Sequence, residues 1–332
     1  MPATVVAFGE LLVRLTATGG CALETLPLLQ PVIGGAEANV AIGLSRLGHA
    51  TRMVSTVPEN RLGEAAIAEL RRWGVDVSAV TTGAGRMGLY FLTPGAIHRP
   101  SDILYDRQGS AFATARFGRL AWKSLLKGAS WLHVSGITAA LGPASAAAAL
   151  KAMRTARDMG VRVAYDGNFR PRLWQAWRGD APAIIAELMH QADLIFGGRR
   201  DMELVLGQAF ADEDAAAAAG LAAFPRLQRL VTTHRDETDA DHNRLSGLIF
   251  TRAAKLATRT YDLSRMVDRI GGGDAFAAGI FHGLLKDESD RRALDYGMAC
   301  SCLKHAQPGD ASLATAADLE AFLSNEGFGV RR

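Results

Sequence analysis

The sequence predicts an α/β protein in which a mostly parallel sheet is covered by helices. Two observations carry this prediction. Short apolar segments typical of buried strands alternate with longer segments of helical periodicity, and several of these strands appear buried on both faces. Strands of that kind are typical of parallel sheets, whose two faces are both covered by helices. A third observation, a group of short strand-like segments within residues 86–117, predicts a small additional sheet.

The predicted elements follow one another along most of the chain. The strands expected in the main sheet are residues 5–9, 52–57, 131–135, 161–166, 194–197 and 230–233. The expected helices are residues 36–47, 62–73, 143–159, 182–191 and 212–224. A polar connection over residues 234–244 is predicted to lead into two further strands, 245–250 and 256–261, after which the chain is helical to about residue 324.

Residues 86–117 depart from this alternation. The segments GLYFLT, ILYDR and AFAT are separated by Gly, Pro, Asp and Ser, which predicts short antiparallel strands that form a flap. Three apolar side chains are expected on a partly exposed face of that small sheet: Phe91, Ile103 and Phe112.

Composition excludes several classes of protein. The 332 residues contain 37 Lys and Arg against 34 Asp and Glu, a formal net charge of +3, and 48% of them are hydrophobic. These values are those of a globular protein, and they do not favour nucleic acid or an anionic membrane as the main partner. The uncharged segment 128–150 contains Gly, Pro, Ser and many alanines, so we expect a strand, a turn and a helix start there, with no membrane span. The length allows two domains, but a single large α/β domain over residues 1–332 fits equally well.

The cysteines and the N-terminal segment favour a cytoplasmic enzyme. Cys21, Cys300 and Cys302 are an odd number, and the Cys-x-Cys spacing is too short for the usual zinc motifs. We expect buried or partly buried free thiols, as in a reducing compartment. The segment MPATVVAFGELLVRL has Glu10 in its apolar stretch and no basic region, which is not typical of a signal peptide.

The most informative motif is DRIGGGDAFAAGI, residues 268–280. Gly271, Gly272 and Gly273 precede an apolar helix, and glycines at a helix N-terminus let backbone N–H groups approach an anion that the helix dipole also favours. Asp274 lies in the first turn, where a carboxylate is well placed to take a proton from a hydroxyl that attacks a phosphoryl group. A glycine-rich turn with Asp as an ordinary helix-start residue is the alternative.

A second glycine motif, GGAEAN, opens the helix predicted at 36–47. Gly34, Gly35 and Ala36 are small enough to admit a ligand against bare backbone, and Asn39 follows one turn later. A plain loop-to-helix turn would explain this motif when it is taken alone.

Taken together and in this order, GGAEANVAIGLSRLG and DRIGGGDAFAAGI resemble the paired signatures of the ribokinase-like (pfkB) carbohydrate kinases, and the resemblance covers essentially the whole chain. It implies a three-layer α/β/α sandwich with a small β lid formed by roughly residues 10–33 and 86–117. It also implies an ATP- and Mg²⁺-dependent kinase in which Asp274 is the base, and it leaves open a monovalent cation such as K⁺.

Four further segments are similar to the members that act on 2-keto-3-deoxygluconate: GLYF from residue 88, YDRQGSA from 105, HVSGIT from 133 and DGNFRPRLW from 166. The resemblance implies that Tyr90, Tyr105 and Arg107 bind the substrate together with the 34–36 turn and Asn39. It further implies that Asn168 and Arg170 lie where substrate and nucleotide meet, with Arg170 contacting both. A guanidinium suits the carboxylate that a sugar acid has and a neutral sugar lacks.

The chain departs from the family pattern around the nucleotide. Gly198 stands at the usual Asn, although an acidic residue remains as Asp201, the expected organiser of hydrated magnesium. The usual nucleotide loop, Lys/Thr-x-Gly-x-x-Gly, is replaced by TTHRDETDADH, which starts at Thr232. The nucleotide contacts expected here are therefore Thr232, Asn168, Arg170, Gly271 and Gly273, and the phosphate donor is left open.

The sequence thus predicts a kinase that phosphorylates the 6-hydroxyl of 2-keto-3-deoxygluconate. Two alternatives stay open: a related kinase acting on fructose, ribose or a nucleoside, and a sugar-acid sensor without activity on the same fold. His133 is expected to be a satisfied core or pocket-wall residue, while His234 and His242 lack a third ligand for zinc. Because small isolated sheets are marginal, we also expect the lid to form a homodimer interface.

Overall fold

The chain is described by a computed structural model for residues 4–237, 239 and 242–324. Its strands are Thr4–Phe8 (β1), Leu12–Ala17 (β2), Leu29–Gly34 (β3), Ala50–Pro58 (β4), Asp76–Gly83 (β5), Gly88–Thr93 (β6), Asp102–Asp106 (β7), Ala129–Ser135 (β8), Arg162–Asp166 (β9), Leu194–Phe196 (β10), Arg229–Glu237 (β11), His242–Phe250 (β12), Lys255–Ala257 (β13) and Tyr261–Ser264 (β14). Its α-helices are Ala36–Arg46 (α1), Arg61–Arg72 (α2), Trp122–Leu125 (α3), Gly136–Ala140 (α4), Pro143–Asp158 (α5), Pro171–Ala176 (α6), Ala181–Met189 (α7), Arg199–Leu206 (α8), Glu213–Ala223 (α9), Gly272–Leu285 (α10), Asp290–His305 (α11) and Ala316–Leu323 (α12).

A ten-stranded sheet in the order β13-β12-β11-β10-β9-β8-β1-β4-β5 forms the centre, with β14 also paired to β12. The seven neighbouring strands of this sheet, β5, β4, β1, β8, β9, β10 and β11, run parallel. The pairs of β12 with β11, β13 and β14 are antiparallel. Successive side chains of β1 enter different cores: Val5 packs with α10 and α11, whereas Val6 packs with α5 and α7. Burial on both faces explains the continuous apolar strands, and the predicted α/β class with a mostly parallel sheet is confirmed.

A separate four-stranded sheet, order β3-β2-β6-β7, is built from segments within 12–34 and 88–106. Cross-strand pairing places Tyr90 beside Tyr105, and Phe91 beside Leu104. Because side chains alternate along a strand, Tyr90 and Tyr105 share the face toward the central sheet, and Phe91 and Leu104 share the outer face. This sheet is called the small sheet below.

Several local expectations were wrong. Residues 111–114 form a turn, since Phe112 is buried in the main core against Phe8 and is unavailable to a sheet face. Ile103 lies on the inner face of the small sheet, beside the cavity described below. Most of the predicted polar connection 234–244 is strand, because β11 continues to Glu237 and pairs with β12.

Two further expectations differ at the level of single elements. The strand predicted at 256–261 is divided into β13 and β14, which both pair with β12. Cys300 and Cys302 are buried thiols, but Cys21 is exposed. Within the described ranges, no helix has the length and apolar character that crossing a membrane requires.

Candidate active site

A cavity of about 330 Å³ lies between the central sheet and the small sheet, at the carboxyl ends of the parallel strands. This edge is where open α/β sheets bind ligands, because strands end there and helices begin. The cavity brings together residues from both ends of the chain. Among the predicted site residues it is lined by Gly35, Ala36, Asn39, Tyr90, Tyr105, Arg107, Asn168, Arg170, Gly271, Gly272, Gly273 and Asp274.

The glycine turn at the start of α10 is held tightly from behind. Gly271 has φ +77°, and a Cβ there would lie 1.6 Å from the carbonyl oxygen of Asp310, so only glycine fits. A Cβ on Gly272 would lie 2.6 Å from the His305 ring, whereas at Gly273 nothing lies within 4 Å. The turn is therefore fixed on the protein side and open on the cavity side, where the first N–H groups of the helix lack helical partners.

Asp274 follows this turn and is paired with α1. The Asn39 side-chain nitrogen donates a hydrogen bond of 2.6 Å to Asp274 Oδ2. Burial raises the pKa of Asp274 to about 7, while the Asn39 hydrogen bond lowers it. A carboxyl group with a pKa near neutrality is suited to accept a proton from an alcohol and to release it afterwards.

The second glycine motif is equally constrained by its neighbours. Gly35 has φ +149°, and a Cβ on it would lie 2.2 Å from the Glu10 carbonyl oxygen. A Cβ on Gly34 would lie 2.3 Å from Asp310 Oδ2, so Gly34 lies behind the cavity wall and is absent from its lining. One turn below the Asn39–Asp274 hydrogen bond, Gly43 of α1 packs on Ala278 of α10, where a Cβ on Gly43 would be 2.9 Å from that of Ala278.

On the small sheet, Arg107 is already paired with a carboxylate. Its Nε and Nη2 lie 2.7 and 2.6 Å from Glu10 Oε2, and both side chains are buried. Ser110 donates to the other oxygen of Glu10. Arg107 therefore keeps part of its fork for a ligand, but its charge is largely compensated. Sequence reasoning missed Glu10 as a site residue, because an acidic residue in an apolar stretch gave no sign of its partner.

A second buried network joins the small sheet to the loops around α10. Arg14 of β2 donates to both oxygens of Asp268, at 3.0 and 2.5 Å, and its Nε lies 3.1 Å from Asp310 Oδ1. Tyr90 donates to Asp310 Oδ2 at 2.9 Å. These contacts fix the small sheet over the cavity, and Arg14 and Asp310 had no sequence signal, because their partners are distant in the chain.

Arg170 is the cation that faces the cavity's acidic groups. Among the described residues its side chain makes one hydrogen bond, from Nη1 to the Phe169 carbonyl oxygen at 3.1 Å. Burial raises the pKa of Asp166, nearby carboxylates including Asp274 raise it further, and Arg170 lowers it. Asn168 between them has φ +37°, a left-handed conformation that turns the chain at the end of β9. Arg170 thus keeps donors free for an anionic ligand.

A second cavity of about 640 Å³ lies at the ends of β10 and β11. Asp201 and Thr232 both line it. Burial raises the pKa of Asp201, and the Gly198 N–H, 2.9 Å from Asp201 Oδ2, lowers it. A Cβ on Gly167 would lie 2.4 Å from Asp201 Oδ1, so Asp201 is in contact with the turn that carries Asp166 and Asn168 into the first cavity.

Within the described ranges, His234 is the one histidine that lines either cavity. His133 is fully buried against Phe281 and Phe196, so its predicted position in the core is confirmed. Neither ring nitrogen has a hydrogen-bond partner among the described residues, so the expectation that it is satisfied was wrong. Burial lowers the pKa of His133 to about 3, which keeps it neutral. In the part of the chain that the structure describes, no three His, Cys, Asp or Glu side chains are grouped to hold a metal directly.

With this geometry in place, comparison with known proteins is decisive. Residues 3–316 match the pfkB family carbohydrate kinases. The chain belongs to this family. It is 32% identical over its whole length to the whole of a 2-dehydro-3-deoxygalactonokinase from Haloferax volcanii, and 29% identical to a 2-dehydro-3-deoxygluconokinase from Bacillus subtilis, covering 98% of this chain and 96% of that protein.

Solved structures agree with the family assignment. The crystal structure of a 2-dehydro-3-deoxygluconokinase from Thermotoga maritima superposes with a TM-score of 0.91 at 32% identity, covering 97% of this chain and 99% of that one. The predicted family, its ribokinase-like fold and the class of phosphotransferase are confirmed. The roles of the individual site residues stay predictions, as does the extent of the lid.

Proposed function

We propose that this pfkB-family kinase transfers a phosphoryl group from ATP to the terminal, 6-hydroxyl group of a 2-keto-3-deoxy sugar acid, 2-keto-3-deoxygluconate. Relatives named for this substrate, under its other name 2-dehydro-3-deoxygluconate, match the chain over nearly its full length. The observation that carries the proposal is the pairing of Asp274 with an open glycine turn in a cavity that also holds Arg170.

Arg107 and Arg170, two of the three arginines that line the cavity, favour an acidic substrate over a neutral sugar. Arg170 has no carboxylate partner among the described residues within ion-pair distance, so it can bind a substrate carboxylate without losing another contact. The charge of Arg107 is largely compensated by Glu10, so Arg107 offers the substrate a directional hydrogen-bond donor but little net charge. Tyr105 and Ile103 complete an apolar and hydroxyl-bearing wall for the carbon chain.

The proposed reaction is an in-line displacement. The 6-hydroxyl oxygen attacks the γ-phosphorus, the bond from that phosphorus to the β,γ-bridging oxygen breaks, and ADP leaves with the electron pair. Asp274 accepts the hydroxyl proton, and the N–H groups of the glycine turn stabilise the negative charge on the transferring group.

The residues present also fit a hydrated magnesium ion. Asp166 and Asp201 are carboxylates at the junction of the two cavities, and in both of them burial disfavours the charged form until a cation arrives. We propose that they hold Mg²⁺ through water, where the ion would neutralise charge on the donor phosphates. A requirement for a monovalent cation such as K⁺ stays a proposal, tested by comparing KCl with NaCl at equal ionic strength.

The C4 epimer, 2-keto-3-deoxygalactonate, is a second candidate, because the Haloferax relative is named for it. An ADP-release assay over both epimers, fructose and ribose tests the proposal. We expect kcat/KM for one or both keto acids to exceed the values for neutral sugars at least a hundredfold. Preference for a neutral sugar would refute the substrate class, and tight binding of the acid without ADP release would indicate a sensor.

We further propose that the small sheet acts as a lid and forms a homodimer interface. Its outer face includes Phe91 and Leu104, the latter 52% exposed, and the adjoining β2–β3 loop exposes Leu26 and Leu28. Exposed apolar groups of this kind mark association sites. Leu104→Glu should convert a dimer to a monomer in sedimentation at micromolar concentration, whereas a monomeric wild-type protein, with and without sugar acid, would refute this interface.

The cellular location proposed here rests on the thiols. All three cysteines are free, which is typical of a reducing compartment, and we propose that the protein is cytoplasmic.

A further inference from the structure

Arg235, on the extended part of β11, is a partly buried cation without an ion pair among the described residues. Its Nη2 lies 3.2 Å from Nε2 of His305. Its Nη1 is inaccessible to solvent and has no hydrogen-bond partner. A desolvated guanidinium group with an unsatisfied nitrogen is costly in the empty protein, and an arriving anion would remove that cost.

His305 does not compensate this charge. Its Nδ1 lies 2.7 Å from the Ser301 carbonyl oxygen and must carry the ring proton, which leaves Nε2 to accept from Arg235. Burial lowers the pKa of His305 to about 4, so the ring is neutral at physiological pH. The one polar partner of the Arg235 side chain among the described residues is therefore uncharged.

The position of Arg235 links the two cavities. It lines the second cavity together with Asp201 and Thr232. The His305 ring that it contacts lies directly behind Gly272 of the glycine turn. A chain of phosphates that runs from the second cavity to the glycine turn would therefore pass beside Arg235.

The second cavity is lined by three carboxylates and three arginines, so what marks Arg235 is its buried nitrogen without a hydrogen-bond partner. Arg269 is paired with Glu237 at 2.5 Å, and Asp268 is held by Arg14. Burial and the neighbouring Arg269 both lower the pKa of Arg235, while Glu237 raises it. The carboxylates near Arg235 within the described residues are thus engaged elsewhere, and the missing counter-charge must come from a ligand.

We propose that Arg235 binds the β- and γ-phosphates of the nucleotide donor and makes the enzyme selective for donors that carry them. The inference rests on the proposed function, and it takes the donor to lie in the second cavity, which the expected nucleotide contact Thr232 lines. A guanidinium fork matches phosphate oxygens in pairs, a contact that an arginine side chain provides and a glycine loop does not. The glycines of the usual nucleotide loop are absent here, and Arg235 stands within the segment that replaces them.

The test compares Arg235→Ala with Arg235→Lys and with Arg244→Ala. Arg244 lies on the neighbouring strand β12 with 56% of its side chain exposed, so it controls for loss of one positive charge on the same hairpin. Titration calorimetry measures binding of MgATP, of adenosine and of inorganic tripolyphosphate to each protein. Thermal unfolding of each variant measures folding independently.

We expect Arg235→Ala to weaken MgATP and tripolyphosphate ten- to a hundredfold, the effect of one charge-assisted hydrogen bond. Adenosine binding should change less than threefold, Arg235→Lys should recover part of the loss, and Arg244→Ala should resemble the wild type. The melting temperature of Arg235→Ala should fall little, because the residue removed has no ion pair among the described residues and one neutral hydrogen-bond partner.

Unchanged MgATP affinity in Arg235→Ala, or equal losses for adenosine and MgATP, would overturn the inference, and so would a wild type that binds no MgATP. Failure of the proposed function looks different: the wild type would bind MgATP and yet phosphorylate no sugar acid. In that case the ratio of MgATP to adenosine affinities still decides the role of Arg235.

Discussion

Replacing Asn39 by alanine should shift the pH dependence of catalysis upward. Asn39 donates a 2.6 Å hydrogen bond to the ionised form of Asp274, which favours that form and lowers the pKa of the carboxyl group. Without the amide, the protonated form gains, and the pKa of Asp274 rises above its value of about 7. As the proposed base, Asp274 is active only when deprotonated, so kcat/KM should fall at the acid end of the pH range.

The magnitude follows from the strength of that bond. A hydrogen bond to a charged group contributes about 1.5–3 kcal/mol, and one pKa unit corresponds to about 1.36 kcal/mol, giving a shift of roughly one to two units. Because Asp274 is only partly buried and water replaces part of the lost bond, we expect about one unit. The acid limb should then move from near pH 7 to near pH 8, with about threefold less activity at pH 7.5 and recovery to within twofold by pH 9.5.

The assay is kcat/KM for the sugar acid from pH 5.5 to 9.5 at saturating MgATP. Ser45→Ala, a half-buried residue at the far end of the same helix, serves as the matched control and should keep the wild-type profile. A loss by the same factor at every pH, carried by KM, would refute the reasoning. It would instead support the sequence-based prediction that Asn39 binds the substrate.

Three other substitutions test the site. Asp274→Asn should leave sugar-acid binding within a few-fold in calorimetry but lower kcat by about 10²–10⁴, and a near wild-type kcat would exclude it as the base. Arg107→Ala should lower kcat/KM for the keto acid on the order of ten- to a hundredfold, and far less for a neutral sugar, because it removes a charged donor and leaves Glu10 uncompensated. Arg119→Ala, at an exposed arginine, is the control. Equal losses for both substrates would indicate a structural role for Arg107. Gly271→Ala should lower the free energy of unfolding by at least about 1–3 kcal/mol, whereas Gly273→Ala should not; equal melting temperatures would contradict the strain inferred for the turn.

Periodicity predicted the central layer well, because the pattern of apolar residues shows which faces of a strand or helix are buried. The helices at 36–46 and 143–158 agree with their predicted bounds within a residue. The same reasoning failed for the strands β2 and β3, which it did not propose as strands at all. β3 has exposed and half-buried positions and contains Pro31, so local composition gives little sign of pairing there.

The candidate site was predictable where its residues lie close together in the sequence. Glycines that must approach an anion, and the aspartate after them, form a motif within one turn. Pairings across the fold were not predictable, since Glu10 meets Arg107 and Arg14 meets Asp310 only after the small sheet docks. The strand that carries Arg235 was misjudged for a related reason: polar residues favour a loop, yet β11 extends by pairing with β12, which in turn pairs with β14.

The contact between Gly43 and Ala278 means that packing between α1 and α10 influences the pKa of Asp274. It lies four residues below Asn39 on α1 and four below Asp274 on α10, so the lateral spacing of the two helices sets the length of the hydrogen bond that tunes the base. A methyl group added at Gly43 would push the helices apart without touching any ligand, and the acidity of Asp274 would respond. With Asp274 as the proposed base, the pH dependence of the reaction should respond to the distance between α1 and α10. Substitutions that stabilise α1 or α10 by changing this distance should therefore shift the pH optimum.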